Sequence, residues 1–170
     1  MGLDWHVVRN HFLTGAKIAV SHEVFDDSFR KIYQEAIQKG VEERSGARTF
    51  LNKLRRSRRK IALVSSAAHW MIEGVVKRNG FGEYFDLVVG REDVRQHKPH
   101  PEAYVLALSR LNISAKDAVV FEDSEAGVVA GCAAGCRVVA IRHEYNRRHD
   151  FSEAMRVIES YDEFVFTEQT

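Results

Sequence analysis

The chain has 170 residues, of which 45% are hydrophobic and 29% charged, the composition of an ordinary soluble globular protein. Its 25 basic and 24 acidic residues give a net charge of +1, so we expect neither a nucleic acid nor a membrane surface as a partner. Two cysteines, Cys132 and Cys136, have no ligands nearby in the sequence to complete a zinc site, and we interpret them as reduced thiols of a cytoplasmic protein. No apolar run is long enough to span a bilayer, and the first residues do not form a signal peptide.

The N-terminal part of the chain is predicted to be helical. Residues 1–21 show weak periodicity and predict no element. Over 22–38, apolar residues return on one helical face, and Gly40 follows as a stop signal. After the turn residues Ser45 and Gly46, a second amphipathic helix is predicted to run to about residue 57.

From residue 61 onward, strand and helix patterns alternate. Apolar runs predict four strands, at 61–64, 85–89, 118–121 and 137–141. Helices are predicted between them, ending near residues 77, 111 and 135, and a helix near 152–158 and a strand near 164–166 are predicted to end the chain. Such alternation indicates a Rossmann-like, three-layer α/β fold, in which a mostly parallel sheet carries helices on both faces.

Two adjacent carboxylates, Glu122 and Asp123, follow the predicted strand at 118–121. Open α/β sheets bind ligands at the carboxyl ends of their strands. Adjacent carboxylates repel each other unless a cation is present, and Mg²⁺ takes one or two protein carboxylates together with waters and a substrate phosphate. We therefore interpret Glu122 and Asp123 as ligands of Mg²⁺. The alternative is a helix N-terminus that carries acidic residues, which is common.

Two further polar features are expected at the same edge of the sheet. Ser65 and Ser66 follow the strand at 61–64, where a hydroxyl and the amides of a helix start can hold a phosphoryl oxygen, although a serine there is often only a helix cap. Lys98 stands beside Pro99 and Pro101, which restrict the backbone around it. An ammonium held in this way can neutralise charge on a phosphoryl group, whereas a solvated turn lysine is the alternative.

In these three segments the chain resembles the haloacid dehalogenase-like superfamily, and in particular its β-phosphoglucomutase and phosphoglycolate-phosphatase branch. Residues 62–66 (ALVSS), 98–102 (KPHPE) and 121–127 (FEDSEAG) look like the second, third and fourth motifs of that branch. The resemblance implies a core over residues 45–170 and, over residues 1–44, the remnant of a helical cap. It also implies a small phosphorylated metabolite, such as a sugar phosphate, as the substrate.

The same resemblance implies roles for the candidate residues. Ser65 and Ser66 would bind the phosphoryl group of the substrate, and Lys98 would bind it as well and balance its charge. Glu122 and Asp123 would hold Mg²⁺, which places Asp123 with Ser65 and Lys98 among the catalytic residues. The segment 142–145 follows the strand at 137–141, so we expect it at the rim of the site.

The first motif of the superfamily, a strand that ends in Asp-x-Asp, is not found in this sequence. In the superfamily its first aspartate attacks phosphorus and its second acts as acid and base. The nearest candidate, 24–28 (VFDDS), has Ser28 two positions after Asp26, and the apolar residues around it have helical spacing. Residues 16–20 could fill the place of the missing strand, but no acid follows them directly.

In the superfamily this strand lies at the centre of the sheet, between the strands that end at Ser65 and Glu122. We therefore expect a sheet without its first central strand, in which two apolar edges face each other. As written, the chain is expected to be an N-terminally incomplete phosphatase with little or no turnover. The alternative is a non-catalytic protein that binds phosphate and Mg²⁺, or serves in assembly, and is completed by a partner chain.

The basic run at 55–60 is interpreted as a helix C-terminus rather than a nucleic-acid patch.

Overall fold

The structure is a computed structural model that describes residues 5–17 and 19–164. Within these ranges there are six α-helices: α1 (Trp5–Gly15), α2 (His22–Lys39), α3 (Ala47–Arg56), α4 (His69–Arg78), α5 (Glu102–Leu111) and α6 (Glu125–Ala133). The same ranges contain five strands: β1 (Ala62–Val64), β2 (Leu87–Val89), β3 (Val119–Glu122), β4 (Arg137–Ile141) and β5 (Arg156–Ile158). The α/β fold predicted from the alternation of patterns is confirmed.

The five strands form two separate parallel sheets. β1 pairs with β2 in one sheet, and the other has the order β3-β4-β5. Within the described ranges no backbone pairing joins β1 to β3, so each of these strands has one open edge. The apolar residues of β1 are only half-buried, whereas residues 138–141 of the doubly flanked β4 are all buried. The expected loss of a central strand is thus confirmed for the part of the chain that is described.

Each sheet has its own apolar core. Val89 of β2 packs with Ala103 and Ala107 of α5. The second sheet buries two clusters, one on each face, which contain the following residues: Val128, Val138, Ala140 and Phe151 on one side, and Val139, Ile141 and Ile158 on the other. The division of the sheet therefore also divides the core.

Helix α3 connects the two halves. The ring of Phe50 packs against Phe121 of β3, with 4.9 Å between ring centroids. On the side of the first sheet, the Arg55 guanidinium lies 2.8 Å from the Asp86 carboxylate, just before β2. Residues of α3 therefore contact both halves of the molecule.

The N-terminal helices pack on the core through α2. Ser21 caps α2 by accepting a hydrogen bond from the amide of Val24, at 3.3 Å, and Gly40 ends the helix with φ of +127°. Ile37 of α2 fills the space above Gly74 of α4, where an added Cβ would lie 2.9 Å from its Cδ1. The division of the chain into a cap remnant over 1–44 and a core over 45–170 stays a prediction.

Three sequence-based expectations about elements need correction. Helix α1 was not predicted at all. The helix predicted at 152–158 is wrong, because residues 156–158 form β5, in which Ile158 is buried beside Val139. Residues 16, 17, 19 and 20 form no strand, so they do not fill the gap in the sheet, and residue 18 lies outside the described ranges.

The strand predicted at 164–166 falls mostly on residues that are not described. Residue 164 itself follows a short 3-10 turn, Tyr161–Glu163, and is not in a strand. Among the helices that are described, none is long and apolar enough to cross a lipid bilayer.

Candidate active site

The carboxyl ends of β1 and β3 border a cleft of about 290 Å³. Its lining consists of Val64, Ser65, Ser66, Ala67, Lys98, Glu122, Asp123, Ser124 and Ala126. All five residues that the sequence singles out are therefore brought together. β1 and β3 are not paired with each other, but both end at this cleft, where Lys98 contacts the carbonyl oxygen of Val64 and the carboxylate of Glu122.

Ser65 continues β1 beyond its last paired residue. Its amide donates a hydrogen bond to the carbonyl oxygen of Val89, at 2.9 Å, and its Oγ accepts one from the amide of Ala67, at 3.1 Å. The hydroxyl proton of Ser65 thus remains available to an oxygen in the cleft. Ser66 is exposed at the same turn, three residues before α4 begins.

Lys98 bridges the open edges of the two sheets. Its side chain is only 7% exposed, and its Nζ donates a hydrogen bond to the carbonyl oxygen of Val64, at 3.2 Å. The same ammonium group donates to Oε1 of Glu122 and lies 4.7 Å from the centroid of the Tyr104 ring. A lysine buried in this way needs a compensating charge, and Glu122 supplies it.

Glu122 is surrounded by hydrogen-bond donors on both carboxylate oxygens. Oε1 accepts from Lys98 and from the hydroxyl of Tyr104. Oε2 accepts from the amide of Asp123 at 3.1 Å, and from the amide and the hydroxyl of Ser124 at 3.3 and 3.0 Å. Burial raises the pKa of Glu122, but Lys98 and these hydrogen bonds outweigh it and hold the pKa below its usual range. Glu122 is therefore an ionised carboxylate that is committed to protein donors.

Tyr104 remains a hydroxyl donor because burial, and then the neighbouring Glu122 charge, raise its pKa far above the ordinary value.

The approach of Glu122 to α6 depends on a glycine. A Cβ added at Gly127 would lie 2.0 Å from the carboxyl carbon of Glu122. Ser124 caps the same helix, since its Oγ accepts from the amide of Gly127 at 3.0 Å. The close approach of Glu122 to the helix start thus requires the small residue that the sequence provides.

Asp123 differs from Glu122 in that its side chain is 66% exposed. The imidazole of His143 lies beside it, with 3.4 Å between Nε2 and Oδ2. The two acids, which are adjacent in the sequence, therefore have different surroundings. One is held by protein donors, and the other is open to a ligand.

The donors at this site are compatible with Mg²⁺ if other ligands contribute. Within the described ranges, no three His, Cys, Asp or Glu side chains come together as a closed metal site. Mg²⁺ nevertheless often binds to one or two carboxylates and keeps several waters and phosphate oxygens. Asp123 fits that pattern, whereas both oxygens of Glu122 are engaged. The metal-binding roles of Glu122 and Asp123 stay predictions.

Tyr104 and Asn146 belong to the site although no sequence motif marks them. Tyr104 lies on the buried face of α5, six residues after Lys98, and a buried tyrosine there usually has a partner for its hydroxyl. Asn146 is only 1% exposed, and its side-chain amide donates to the carbonyl oxygens of Asp123 and Ile141, both at 2.8 Å. The segment 142–145 was expected at the rim, and His143 of this segment does lie beside Asp123.

The sequence candidates for the nucleophile lie elsewhere. Asp26 and Asp27 are on α2 and not at the end of a strand. The Asp26 carboxylate lies 2.7 Å from the guanidinium of Arg9, on α1. Neither aspartate lines the cleft. The sequence contains no Asp-x-Asp at any position.

Comparison with known proteins agrees with the motifs. The family described as haloacid dehalogenase-like hydrolase matches residues 9–141. The phosphorylated carbohydrates phosphatase of Thermotoga maritima is 34% identical over 118 residues, which cover 69% of this chain and 53% of that protein. The bifunctional riboflavin kinase/FMN phosphatase of Arabidopsis thaliana is 31% identical over 137 residues, which cover 80% of this chain and 36% of that protein. The chain thus spans about half or less of the length of these two relatives.

Solved structures show the same fold. A putative β-phosphoglucomutase from Thermotoga maritima superposes with a TM-score of 0.79 at 28% identity, covering 92% of this chain and 74% of that one. CbbY from Rhodobacter sphaeroides, in complex with phosphate, superposes with a TM-score of 0.73 at 27% identity, covering 76% and 60%. These matches and the cleft residues agree with the phosphoglycolate-phosphatase and β-phosphoglucomutase branch that the motifs indicate. The chain belongs to the haloacid dehalogenase-like hydrolase family.

Proposed function

We propose that this chain carries the phosphoryl-binding and magnesium-binding part of a phosphatase that acts on a small phosphate ester, such as a sugar phosphate. The convergence of Ser65, Lys98 and Asp123 in one cleft carries the proposal. The names of relatives support the substrate class, since they include phosphatases of phosphorylated carbohydrates, FMN and phosphoglycolate. Cytoplasmic residence, and the absence of nucleic-acid and membrane partners, remain expectations from composition.

In this proposal, Ser65 donates its hydroxyl proton to a phosphoryl oxygen, and Ser66, which also lines the cleft, supplies a further donor. Lys98 faces the same oxygens. However, its positive charge is already balanced by Glu122, and Asp123 adds a negative charge to the cleft. A phosphate dianion therefore needs more positive charge than Lys98 provides. When bound at Asp123, Mg²⁺ would supply that charge.

Hydrolysis needs a nucleophile that these residues do not provide. In this proposal, Ser65 binds the phosphoryl group and Lys98 balances its charge. Glu122 is held by five protein donors, and Asp123 binds the metal. We therefore expect little or no turnover from the chain as given. A nucleophile would have to enter between the ends of β1 and β3, where the cleft lies.

Titration of the ¹⁵N-labelled chain with inorganic phosphate, with and without MgCl₂, tests the binding proposal. We expect amide shifts at Ser65 and Asp123 that are larger with MgCl₂ and are weakened in Ser65→Ala and Lys98→Met. Lys116→Met, a change at an exposed lysine away from the cleft, is the control and should bind like the parent chain. The proposal would be overturned if Ser65→Ala and Lys98→Met showed the same phosphate-induced shifts as the parent chain.

A second candidate function rests on the open edges of β1 and β3. Half-buried apolar strand edges invite pairing with another chain, so the protein could be a non-catalytic binding or assembly protein that a partner strand completes. The intact mass of the product from its native source, measured with its phosphatase activity, separates the two. A product heavier than 19.4 kDa that hydrolyses phosphate esters supports the enzyme. A product of that mass without activity supports the binding role.

A further inference from the structure

The loop after β4 is built around the tip of β3. Asn146 is the buried centre of this loop, with its amide nitrogen 2.8 Å from each of the carbonyl oxygens of Asp123 and Ile141. Its Oδ1 accepts a hydrogen bond from the amide of His143, also at 2.8 Å. Because two carbonyls need donors and one amide needs an acceptor, these partners fix the orientation of the Asn146 side chain. One side chain thus sets the relative positions of the Asp123 and His143 backbones.

The histidine ring is held in one orientation. Nδ1 of His143 accepts a hydrogen bond from the amide of Tyr145, at 3.2 Å. In the neutral ring that bond leaves the proton on Nε2, and Nε2 is the atom that faces Oδ2 of Asp123 at 3.4 Å. The His143 side chain is 16% exposed, so the ring is enclosed on most sides while the carboxylate it faces is open.

The loop itself is fixed to the core and does not resemble a mobile lid. The guanidinium of Arg142 donates to the carbonyl oxygens of Asn146 and His149, both at 3.0 Å. It also lies 4.3 Å from the centroid of the Phe151 ring, which belongs to the core of the second sheet. A rigid support of this kind can hold a side chain in one place.

We propose that His143 is a positioning residue for Asp123, and that Asn146 fixes the two residues relative to each other. With Nε2 3.4 Å from Oδ2, the His143 ring lies against one oxygen of the exposed carboxylate and leaves Oδ1 for a ligand. Partners that hold a metal-binding carboxylate typically contribute about 10- to 100-fold to metal affinity. This inference rests on the proposed function, in which Asp123 is the carboxylate that takes Mg²⁺.

The test measures Mg²⁺ affinity through the amide signals of Asp123 and Ser124 in the ¹⁵N-labelled chain, at a fixed concentration of inorganic phosphate. His143→Ala should raise the apparent Kd for Mg²⁺ by about 10-fold. His143→Gln, whose side-chain amide can place an N–H near the position of Nε2, should restore most of the affinity. His11→Gln, the same change at an exposed position on α1, should leave the Kd as it is in the parent chain.

Equal affinities for His143→Ala and His143→Gln would overturn the inference, because a merely structural role would not separate them. If His143→Ala does not fold, His143→Met takes its place, since methionine fills much of the ring volume without a donor. Asp123→Asn tests the underlying proposal separately and should abolish the Mg²⁺-dependent shifts. If those shifts survive in Asp123→Asn, Asp123 is not the ligand, and the proposed function fails together with the inference.

Discussion

Gly127 shows how a single residue controls the site. An added Cβ at this position would lie 2.0 Å from the carboxyl carbon of Glu122, so Gly127→Ala has to push Glu122 away from the start of α6. We expect a loss of about 1–3 kcal/mol in unfolding free energy, as for other overpacked sites. Phosphate affinity should fall as well, because Lys98 is paired with Glu122. Denaturant unfolding and phosphate titration would measure both effects.

The control for this change is Gly82→Ala, where the nearest atom to an added Cβ is 4.0 Å away. This variant should keep its stability to within about 0.5 kcal/mol and keep phosphate affinity. If Gly127→Ala behaves like Gly82→Ala, the close packing of Glu122 on α6 does not control the site.

The ionisation of Glu122 predicts how stability depends on pH. Its pKa is lowered in the folded protein, so its contribution is fully present above the unfolded pKa of about 4.3 and is lost as the pH falls through the folded pKa. Glu122→Gln should cost about 3–5 kcal/mol near pH 7, because Lys98 loses its buried partner. The difference in unfolding free energy between the parent and Glu122→Gln should therefore shrink below about pH 4.

Glu42→Gln, at an exposed position before α3, provides the comparison. The unfolding free energy of Glu42→Gln should stay close to that of the parent across the same pH range. If the difference in unfolding free energy between the parent and Glu122→Gln stayed constant down to pH 2, that result would contradict the assignment of Glu122 as an ionised partner of Lys98.

At the scale of the elements, the open edge of β1 predicts uneven hydrogen exchange along a three-residue strand. The amide of Ser65 donates to Val89 of β2, and N–H groups alternate sides along a strand. The amide of Leu63 therefore faces β2, while those of Ala62 and Val64 face the open side. The carbonyl oxygen of Val64 accepts from Lys98, which agrees with this assignment.

We expect the amides of Ala62 and Val64 to exchange at least about 10-fold faster than that of Leu63. Successive residues of β4 serve as the control, because that strand is flanked on both sides and should be protected throughout. Hydrogen exchange followed by NMR resolves these positions. Equal protection along β1 would mean that its outer edge is covered.

The elements also show what the sequence alone can predict. β4 was predicted at 137–141 and is observed as Arg137–Ile141, because a buried central strand is a continuous apolar run. β5 has a single buried residue, Ile158, so its pattern gives no strand signal. Ser65 and the Glu122–Asp123 pair were predictable because they stand at the ends of apolar strands. The donors around Glu122 and the role of Asn146 were not, because they depend on how distant segments pack.

At the scale of the whole molecule, α3 has to hold together two sheets that share no backbone pairing in the described residues. Phe50 is buried, and its ring packs against those of Phe121, Tyr161 and Phe164 on the side of the second sheet. The Asn52 side chain accepts a hydrogen bond from the hydroxyl of Tyr84, at 3.0 Å, on the side of the first. Cooperativity between the halves should therefore depend on this helix more than on either sheet.

Phe50→Ala tests that dependence. Removing a buried phenylalanine should cost about 3–5 kcal/mol, and it should also let the β1–β2 half open separately from the β3–β5 half. Denaturant unfolding followed through amide signals of β2 and β4 would then give two different midpoints, where the parent gives one. Lys53→Ala, at an exposed position on the same helix, should keep a single midpoint. A single shared midpoint in Phe50→Ala would mean that the buried contact of Lys98 with Val64 and Glu122 suffices to couple the sheets.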